Sequence, residues 1–302
     1  MADGLTITST VPLHTRALST SQNASNSAEP IHMPRLGFGV YRSDPSVCQT
    51  SSVSAIRAGY RHIDSAQFYR NEAEVGQAVI ESGVPRSEIF STTKILSAGG
   101  SVDASYRKCV ESVRKLDPGE DGSGGYVDLF LIHSPNSGRE GRREMWLALE
   151  RLWAEGKAKA IGVSNWGIGH IKEMQEYATA VWPPHVEQIE LHPWCQQREL
   201  VAYCEKLGTV VQAYCPIVRN YKANDGTLKG LAAKNGRSTA QVLVRWSLQK
   251  GYVPLVKSDN EGRIKENADV FSWELTEEDM NVLDALDEGE AGSIVQVAKN
   301  TL

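Results

Sequence analysis

Long apolar runs, closely spaced cysteine pairs and an excess of positive charge are all missing from this 302-residue chain. No apolar stretch approaches the roughly 20 residues that span a bilayer, so we expect no membrane association. Lys and Arg number 32 against 37 Asp and Glu, a net charge of −5, and this balance predicts no nucleic-acid partner. The five cysteines include no CxxC pair, which is typical of reduced thiols. Because the amino terminus also lacks a secretory apolar segment, these absences favour a cytoplasmic protein.

Two familiar site motifs are incomplete. The GFG of residues 37–39 begins a dinucleotide-binding fingerprint, but Arg42 occupies the position of its third glycine, so the fingerprint fails. His62 and Asp64 share one face of a strand and can begin a metal-hydrolase site. The chain offers no second close His pair, however, and Lys94 would place a cation beside the metal. We therefore predict no metal.

Apolar runs of strand length alternate with helical patterns along most of the chain. We count eight runs, each followed by apolar residues at helical spacing. The runs cover residues 36–40, 60–64, 89–94, 127–133, 160–164, 185–191, 209–214 and 252–257. Repeated β then α units predict an α/β protein with a parallel sheet, and eight of them fit a (β/α)8 TIM barrel of typically ~250 residues in a single domain. A doubly wound open sheet is the alternative, but no composition break separates the units.

The barrel is expected to occupy residues 33–287. Residues 1–32 would form an amino-terminal segment with a flexible insert, because Thr6 to Pro30 is rich in Ser, Thr and Asn. Residues 288–302 would form a carboxyl-terminal tail.

Polar or ionisable side chains end seven of the eight runs. They are Asp64, Lys94, His133, Ser164 with Asn165, Gln188, Tyr214, and Lys257 with Ser258. Active sites of (β/α)8 barrels lie at the carboxyl ends of the strands. One polar residue there would mean little, because loops are polar in general, but seven on one rim predict a ligand-binding face.

Four of the rim residues suggest a particular chemistry. Asp64 and Lys94 end adjacent strands and can form an ion pair, with Tyr69 close enough to reach both. A nearby ammonium favours phenolate, so we expect Lys94 to lower the pKa of Tyr69 from its ordinary ~10. With His133 bonded to a substrate oxygen, the group can give or take a proton at a carbonyl or alcohol oxygen. It holds no electron source, so a redox reaction needs a cofactor. The alternatives are a purely structural ion pair and a core histidine.

At these residues the chain resembles the aldo-keto reductase family. The matching stretches are GYRHIDSAQFYRNEAEVG, the Lys94 strand end, VDLFLIHSP, GKAKAIGVSNW, VEQIELHPW, QAYCP and VPLVKSDNEGRIKEN, in the family's order from about Met33 to Val270. The resemblance implies a (β/α)8 barrel without a Rossmann domain and reversible, NAD(P)(H)-dependent carbonyl reduction. By this resemblance Tyr69 is the general acid, Asp64 and Lys94 tune it, and His133 orients the carbonyl.

The resemblance also implies the contacts of the nicotinamide end of the cofactor. Ser164, Asn165 and Gln188 match the positions that hold the carboxamide. Tyr214 matches the ring that stacks on the nicotinamide. Cys215 stands where many relatives have Ser, near the pyrophosphate.

At the other end of the cofactor the resemblance implies a clamp on the adenosine 2′-phosphate. The matching residues are Lys257, Ser258 and Arg263, with Glu266 and Asn267 near the adenine. A 2′-phosphate is a dianion, which Lys and Arg side chains match. Lys257, Arg263 and Lys265 lie within nine residues, so we predict NADPH rather than NADH. A solvated basic turn is the alternative.

The substrate pocket is the least specified part of the sequence. We predict Tyr41, Trp166 and Trp194 as pocket walls. The loops after His133 and Tyr214 and the tail are short, so the pocket should be open, as in microbial and fungal members. The amino-terminal insert should lengthen a hairpin that closes the barrel bottom. We expect a small-molecule carbonyl substrate, an aldehyde or ketone, and a monomer or weak dimer.

Two other functions are compatible with the same residues. The β subunits of voltage-gated potassium channels resemble this family and serve as accessory proteins, so a cofactor-binding regulatory module is one alternative. A mainly oxidative alcohol dehydrogenase is the other, because the same residues can run the reaction in both directions.

Overall fold

A two-stranded hairpin precedes the barrel. The computed structural model describes residues 4–14, 18, 30–119, 122 and 124–295. Strand β1 (Thr10–Pro12) pairs with β2 (His32–Pro34) in antiparallel register, with Val11 opposite Met33. Leu13 and Met33 are buried in a cluster with Phe90, Val186 and Val253, which lie at or near the starts of their strands. The hairpin therefore closes the amino-terminal end of the barrel, as expected. Most of the predicted flexible insert, residues 15–17 and 19–29, lies outside the described residues.

Eight parallel strands close into a barrel, which confirms the predicted fold. The strands are β3 (Gly37–Gly39), β4 (His62–Asp64), β5 (Phe90–Ile95), β6 (Val127–Ile132), β7 (Ala158–Ser164), β8 (Val186–Glu190), β9 (Val210–Tyr214) and β10 (Val253–Val256). Their order around the barrel follows the chain, and β10 closes against β3. Each strand lies within, or within a residue or two of, one predicted apolar run. The chain is a single-domain (β/α)8 barrel.

Helices surround the barrel and bury one face each against it. They are α1 (Pro45–Arg57), α2 (Glu72–Ser82), α3 (Val102–Leu116), α4 (Gly138–Ala154), α5 (Ile168–Met174), α6 (Arg198–Leu207), α7 (Gly226–Asn235), α8 (Thr239–Gln249), α9 (Glu261–Ala268) and α10 (Glu277–Asp284). Capping side chains in the local sequence determine where several of these helices begin. The Ser101 side chain accepts the Ala104 N–H at the start of α3, and Ser238 and Gln241 form a capping box on α8. None of the described helices combines the length and apolar character needed to cross a membrane.

The hydrophobic core between strands and helices supports the strand ends that form the rim. A hydrophobic cluster that includes Trp146 and Trp246 fills the space between strands and helices. Because the strands are parallel, all their carboxyl ends meet on one face. The boundaries predicted at residues 33 and 287 stay a prediction, since the hairpin and the described residues 288–295 pack against the barrel.

Candidate active site

A fully buried ion pair lies at the centre of the carboxyl rim. The Lys94 ammonium donates to Asp64 Oδ1 at 2.6 Å, to the Ser65 carbonyl at 2.9 Å and to the Tyr69 hydroxyl at 3.4 Å. Lys94 is 0 % exposed and Asp64 is 3 % exposed. Burying two charges is costly unless their hydrogen-bonding groups are satisfied. Here three acceptors match the three donors of the ammonium, so the pair is held in one geometry.

The second oxygen of Asp64 is fixed from across the barrel. Gln188 donates from Nε2 to Asp64 Oδ2 at 2.9 Å and to Gln212 Oε1 at 2.8 Å. This chain of bonds joins β4, β8 and β9. Both hydrogens of the Gln188 side-chain amide are used inside the barrel. The side-chain oxygen, Oε1, is left as the group that can accept from a ligand.

Tyr69 lies on a single helical turn, Gln67–Tyr69, directly after β4. Its ring centroid is 5.0 Å from that of Tyr41 and 5.6 Å from that of His133. The turn ends at Arg70, whose φ of 58° is left-handed. This reversal sends the chain away to α2 and leaves the phenol over Lys94. The structure thus brings Asp64, Tyr69, Lys94 and His133 together.

The pKa of Tyr69 is raised well above its ordinary value, first by desolvation and then by the negative charge of Asp64. The expectation that Lys94 lowers it is therefore wrong. The reason is that the Lys94 charge is largely offset by Asp64 in the same buried pair, and burial itself lowers the pKa of Lys94. At neutral pH the phenol keeps its proton.

His133 is a neutral imidazole. Burial and, secondarily, the charge of Lys94 lower the pKa of His133 to about 3. Its Nδ1 is buried with no hydrogen-bond partner among the described residues. A buried donor without an acceptor is costly, so the proton belongs on Nε2. His133 can then donate from Nε2 to a substrate oxygen beside Tyr69.

The residues predicted for the nicotinamide end form one hydrogen-bonded network. The Ser164 hydroxyl donates to the Gln188 carbonyl at 2.8 Å, and Asn165 Nδ2 donates to the His133 carbonyl at 3.0 Å. The Tyr214 hydroxyl donates to Asn165 Oδ1 at 2.7 Å. Asn165 has a left-handed φ of 63°, which Asn tolerates better than most residues. The network joins the ends of β7, β8 and β9 beside His133.

The residues predicted for the adenosine end line one cavity of about 680 Å³. Its lining includes Lys257, Ser258, Arg263, Glu266 and Asn267, with Ile217, Asn220 and Ser238 to Ala240. The volume is within the range of ligand sites, roughly 300–1,000 Å³. Two cations beside the amino-terminal end of α9, together with polar side chains, suit a phosphate and a purine. The residues present therefore fit the phosphorylated adenosine of a nicotinamide dinucleotide.

Asp259 organises the cationic side of this cavity. Its carboxylate pairs with Lys257 and accepts from Ser43 at 2.5 Å and Ser51 at 3.2 Å. Asn260 caps α9 by accepting the Arg263 N–H at 3.0 Å. These contacts tie the end of β10 and the start of α9 to the loop after β3 and to α1.

Cys215 lies at the start of the loop after β9, with a left-handed φ of 52°. Burial raises the pKa of its thiol to about 11, so it is uncharged at neutral pH. It does not line the adenosine cavity, and its pyrophosphate contact stays a prediction.

Of the three predicted pocket walls, only Tyr41 is partly exposed, and its ring lies beside that of Tyr69. Trp166 and Trp194 are 0 % and 2 % exposed, so the prediction that they contact substrate is corrected. The Trp166 ring packs in the core, and the backbone N–H of Trp166 donates to Glu187 Oε1 at 3.1 Å. Trp194 is covered by the carboxyl-terminal segment, where a Cβ on Gly292 would lie 1.8 Å from the Trp194 carbonyl oxygen.

Sequence reasoning missed Glu190, which anchors that segment at the rim. Its buried carboxylate accepts from Ser293 at 2.6 Å, Ile294 at 2.7 Å and Val295 at 3.1 Å, and it contacts His192 Nε2 at 2.9 Å. Burial alone would raise the pKa of Glu190, but these hydrogen bonds lower it. Two residues beyond Gln188, Glu190 lies on the same strand face, which was the available signal. The described start of the tail is therefore fixed against the rim.

Sequence reasoning also missed Arg42 and Arg219, whose guanidinium groups lie beside the Tyr41 ring. Arg42 lies three residues after β3 and Arg219 five residues after β9, but nothing in the sequence indicates that these two loops meet at Tyr41. Among the described residues, no cluster of three or more His, Cys, Asp or Glu side chains is arranged to hold a metal ion.

The fold and the site together are those of a (β/α)8-barrel protein with a buried group of ionisable residues at its carboxyl rim. A sequence model of the Aldo/keto reductase family matches residues 42–288. The chain belongs to this family.

Individual relatives agree with this assignment. The chain is 42 % identical over 265 residues to an uncharacterized oxidoreductase of Schizosaccharomyces pombe, covering 84 % of this chain and 90 % of that protein. It is 39 % identical over 261 residues to the glyoxal reductase of Bacillus subtilis, covering 86 % of this chain and 91 % of that protein. The crystal structure of a Bombyx mori aldo-keto reductase in complex with NADP superposes with a TM-score of 0.79 at 30 % identity, covering 94 % of each chain.

Proposed function

We propose that this protein reduces an aldehyde or ketone to the alcohol with hydride from NADPH, and that Tyr69 is the general acid. The observation that carries the proposal is the position of the Tyr69 hydroxyl, 3.4 Å from the buried ammonium of Lys94. A proton donor above a buried cation suits a reaction in which negative charge develops on a substrate oxygen. The glyoxal reductase among the relatives supports carbonyl reduction.

The bound cofactor would supply the hydride that the carbonyl carbon receives. The Tyr69 phenol gives its proton to the carbonyl oxygen, so the product is a neutral alcohol and the tyrosine becomes tyrosinate. Lys94 stabilises that tyrosinate through its existing contact, and Asp64 holds Lys94 in position. His133 donates from Nε2 to the same substrate oxygen and fixes its orientation. The raised pKa of Tyr69 keeps the acid protonated before each turnover.

The preference for NADPH rests on the cavity around α9. Lys257 and Arg263 both line it, and a 2′-phosphate would gain charge-assisted hydrogen bonds from them. NADH lacks that group and would gain none of these hydrogen bonds. The NADP complex of the Bombyx mori relative supports this choice.

Turnover of a carbonyl panel tests the function directly. We expect the absorbance of NADPH near 340 nm to fall with aldehydes and ketones, and NADH to be used far less well. Tight NADPH binding without turnover of any carbonyl would favour an accessory, cofactor-binding role. Turnover confined to alcohols with NADP+ would favour a mainly oxidative enzyme.

Variants of Arg263 and Lys265 form a matched pair that tests the preference for NADPH over NADH. Arg263 lines the cavity, whereas Lys265 pairs with Glu261 at 2.7 Å on the exposed side of the same helix. Arg263→Gln should weaken NADPH binding by about tenfold, the size of one lost charge-assisted hydrogen bond, and leave NADH binding unchanged. Lys265→Gln should bind both as the wild type does. Equal losses in both variants would indicate only a general effect of positive charge.

The raised Tyr69 pKa and the lowered His133 pKa predict the pH dependence of reduction. The active form has a protonated phenol and a neutral imidazole. The pKa of Tyr69 is raised above its ordinary value of about 10, and the pKa of His133 is about 3. Neither group therefore changes charge between about pH 5 and 9. The rate of the chemical step, measured in single turnovers, should be flat over that range. If the rate instead falls as the pH rises toward 9, and Tyr69→Phe does not show this fall, then the pKa of Tyr69 is lowered.

The remaining expectations about the whole protein are also proposals. We propose that it is cytoplasmic and that it is a monomer or a weak dimer. Cell fractionation and sedimentation test these two points, and a membrane-bound fraction or a stable larger oligomer would contradict them.

A further inference from the structure

A buried carboxyl group lies behind the residues that are predicted to hold the nicotinamide carboxamide. Glu187 is next to Gln188 on β8, and successive side chains of a strand point to opposite faces. Gln188 bonds to Asp64 inside the barrel, so Glu187 points outward to the layer of helices. It is 0 % exposed. Burying an acid is costly unless the acid is hydrogen-bonded, so the contacts of Glu187 indicate what it does.

Glu187 contacts the backbone just beyond the end of β7. Its Oε1 accepts the Trp166 N–H at 3.1 Å. The preceding N–H, that of Asn165, donates to the Gln188 carbonyl at 3.0 Å and continues the pairing of β7 with β8. The Trp166 N–H lies beyond this pairing and is buried, so it needs an acceptor from a side chain. Glu187 supplies that acceptor.

The backbone between these two N–H groups has an uncommon conformation. Asn165 has a left-handed φ of 63°. A residue other than glycine keeps this conformation where its surroundings fix it. Here the peptide group before Asn165 is held by the Gln188 carbonyl, and the peptide group after it is held by Glu187. Two bonds from β8 therefore fix both peptide groups that flank Asn165.

The side chain of Asn165 depends on this conformation. Its Nδ2 donates to the His133 carbonyl at 3.0 Å, and its Oδ1 accepts from the Tyr214 hydroxyl at 2.7 Å. A change of φ at Asn165 would turn its side chain away from both partners. Glu187 thus supports the network that joins His133 and Tyr214 from behind the rim.

The Glu187 carboxyl is neutral. Desolvation raises its pKa well above the ordinary value, and the N–H groups of Trp166 and Asn165 lower it only in part. Among the described residues, no cation acts on this carboxyl and its buried Oε2 has no hydrogen-bond partner. A glutamine has the same shape and also presents an oxygen to the Trp166 N–H. We therefore expect Gln to replace Glu187, and an apolar side chain to fail.

We propose that Glu187 is a positioning residue for the nicotinamide carboxamide, acting through the Trp166 N–H to hold Asn165 in the conformation that the carboxamide meets. This inference rests on the proposed reductase function and adds to it a residue that faces away from the interior of the barrel. Without Glu187 the nicotinamide loses its fixed orientation. The adenosine end still binds, because its cavity around α9 is lined by other residues.

Three variants separate the hydrogen bond from packing. Glu187→Leu fills most of the same volume without an acceptor, whereas Glu187→Gln keeps the acceptor. Ile189→Ala is the control for lost stability alone, because Ile189 lies on the same outward face of β8 in the hydrophobic core and its truncation leaves a cavity. If Glu187→Leu does not fold, Glu187→Asp takes its place, since its shorter side chain withdraws the acceptor from Trp166.

A cofactor analogue measures recognition of the carboxamide. In the 3-acetylpyridine analogue of NADP+ a methyl ketone replaces the amide. By fluorescence titration, the wild type should bind NADP+ about tenfold more tightly than the analogue, and Glu187→Leu should bind the two equally. Single-turnover oxidation of NADPH should slow by about 10²-fold in Glu187→Leu, because a small misplacement of reacting groups costs about that much. Glu187→Gln and Ile189→Ala should keep both values.

Hydrogen–deuterium exchange tests the backbone contact without cofactor or turnover. The Trp166 amide should exchange about tenfold faster in Glu187→Leu than in the wild type, beyond any change at the amides of β7, and no faster in Glu187→Gln. Ile189→Ala should change the amides of β7 and β8 alike, with no excess at Trp166. The proposed function can then fail, as absent turnover, while the exchange result stands.

Three results would overturn the proposal. The first is unchanged exchange at Trp166 in Glu187→Leu. The second is a Glu187→Leu variant that keeps both the wild-type preference for NADP+ over the analogue and the wild-type single-turnover rate. The third is an equal loss in Glu187→Gln or in Ile189→Ala, which would show a need for charge or a general loss of stability in place of one hydrogen bond.

Discussion

Tyr69→Phe is expected to lower the rate of carbonyl reduction by about 10² to 10⁴-fold while NADPH binds nearly as before. General acid catalysis contributes about that factor, and no other described side chain holds a proton above Lys94. The phenol touches the Lys94 ammonium and faces Tyr41 and His133. It does not line the adenosine cavity, so its loss should leave the cofactor's affinity alone. Single-turnover oxidation of NADPH and a fluorescence titration of NADPH measure the two quantities separately.

Tyr41→Phe is the matched control for this variant. The Tyr41 ring lies 5.0 Å from the Tyr69 ring, but its hydroxyl makes no contact with Lys94. Removing that hydroxyl keeps the pocket wall, so most of the rate should remain. If Tyr41→Phe lost as much rate as Tyr69→Phe, or if Tyr69→Phe mainly lost NADPH affinity, the assignment of the general acid would be wrong.

Lys94→Met should both stop the reaction and destabilise the protein. It removes a 0 % exposed ammonium and leaves Asp64, 3 % exposed, without its charge partner. Removing one member of a buried ion pair costs about 3–5 kcal/mol in the free energy of unfolding. The reaction stops because the tyrosinate formed at Tyr69 has no cation beside it. Urea unfolding and NADPH oxidation measure the two effects.

The double variant Asp64→Asn with Lys94→Met separates stability from catalysis. Replacing both charges with neutral groups of similar size is often close to neutral for stability. An Asn at position 64 also keeps an oxygen that can accept from Gln188. The double variant should therefore regain most of the lost free energy of unfolding and still fail to reduce carbonyls. Recovery of activity with stability would show that the pair is only structural, which is the alternative that the sequence left open.

Local signals in the sequence were sufficient for the strands and for most of the rim. A strand that is buried on both faces needs a short apolar run, and each of the eight runs became a strand of the closed barrel. In a closed parallel barrel the carboxyl ends of all strands lie on one rim. Asp64, Lys94 and His133, which end strands or follow them directly, therefore lie on that rim. For the same reason Lys257, Ser258 and Arg263, which are close in the chain, line one cavity.

Predictions failed where the answer depended on how deeply a group is buried. The sequence correctly suggested a cation near Tyr69, but the sign of the pKa shift depends on desolvation and on the offsetting charge of Asp64. Trp166 and Trp194 follow strand ends as pocket residues do, yet core packing and the carboxyl-terminal segment cover them. Exposure is a property of the whole packed chain, and position relative to a strand does not specify it.

The sequence alone determined the barrel and the group of residues that meet at its rim, because these follow from periodicity and from chain connectivity, and the resemblance of its motifs to a known family indicated the class of protein. Only the tertiary structure decided the protonation of Tyr69 and His133, the anchoring of residues 293–295 by Glu190, and the meeting of Arg42 and Arg219 at Tyr41. Each of these depends on a contact between segments far apart in the chain, or on a left-handed backbone at a residue other than glycine. Such contacts are fixed by packing, and packing has no local signature in the order of the amino acids.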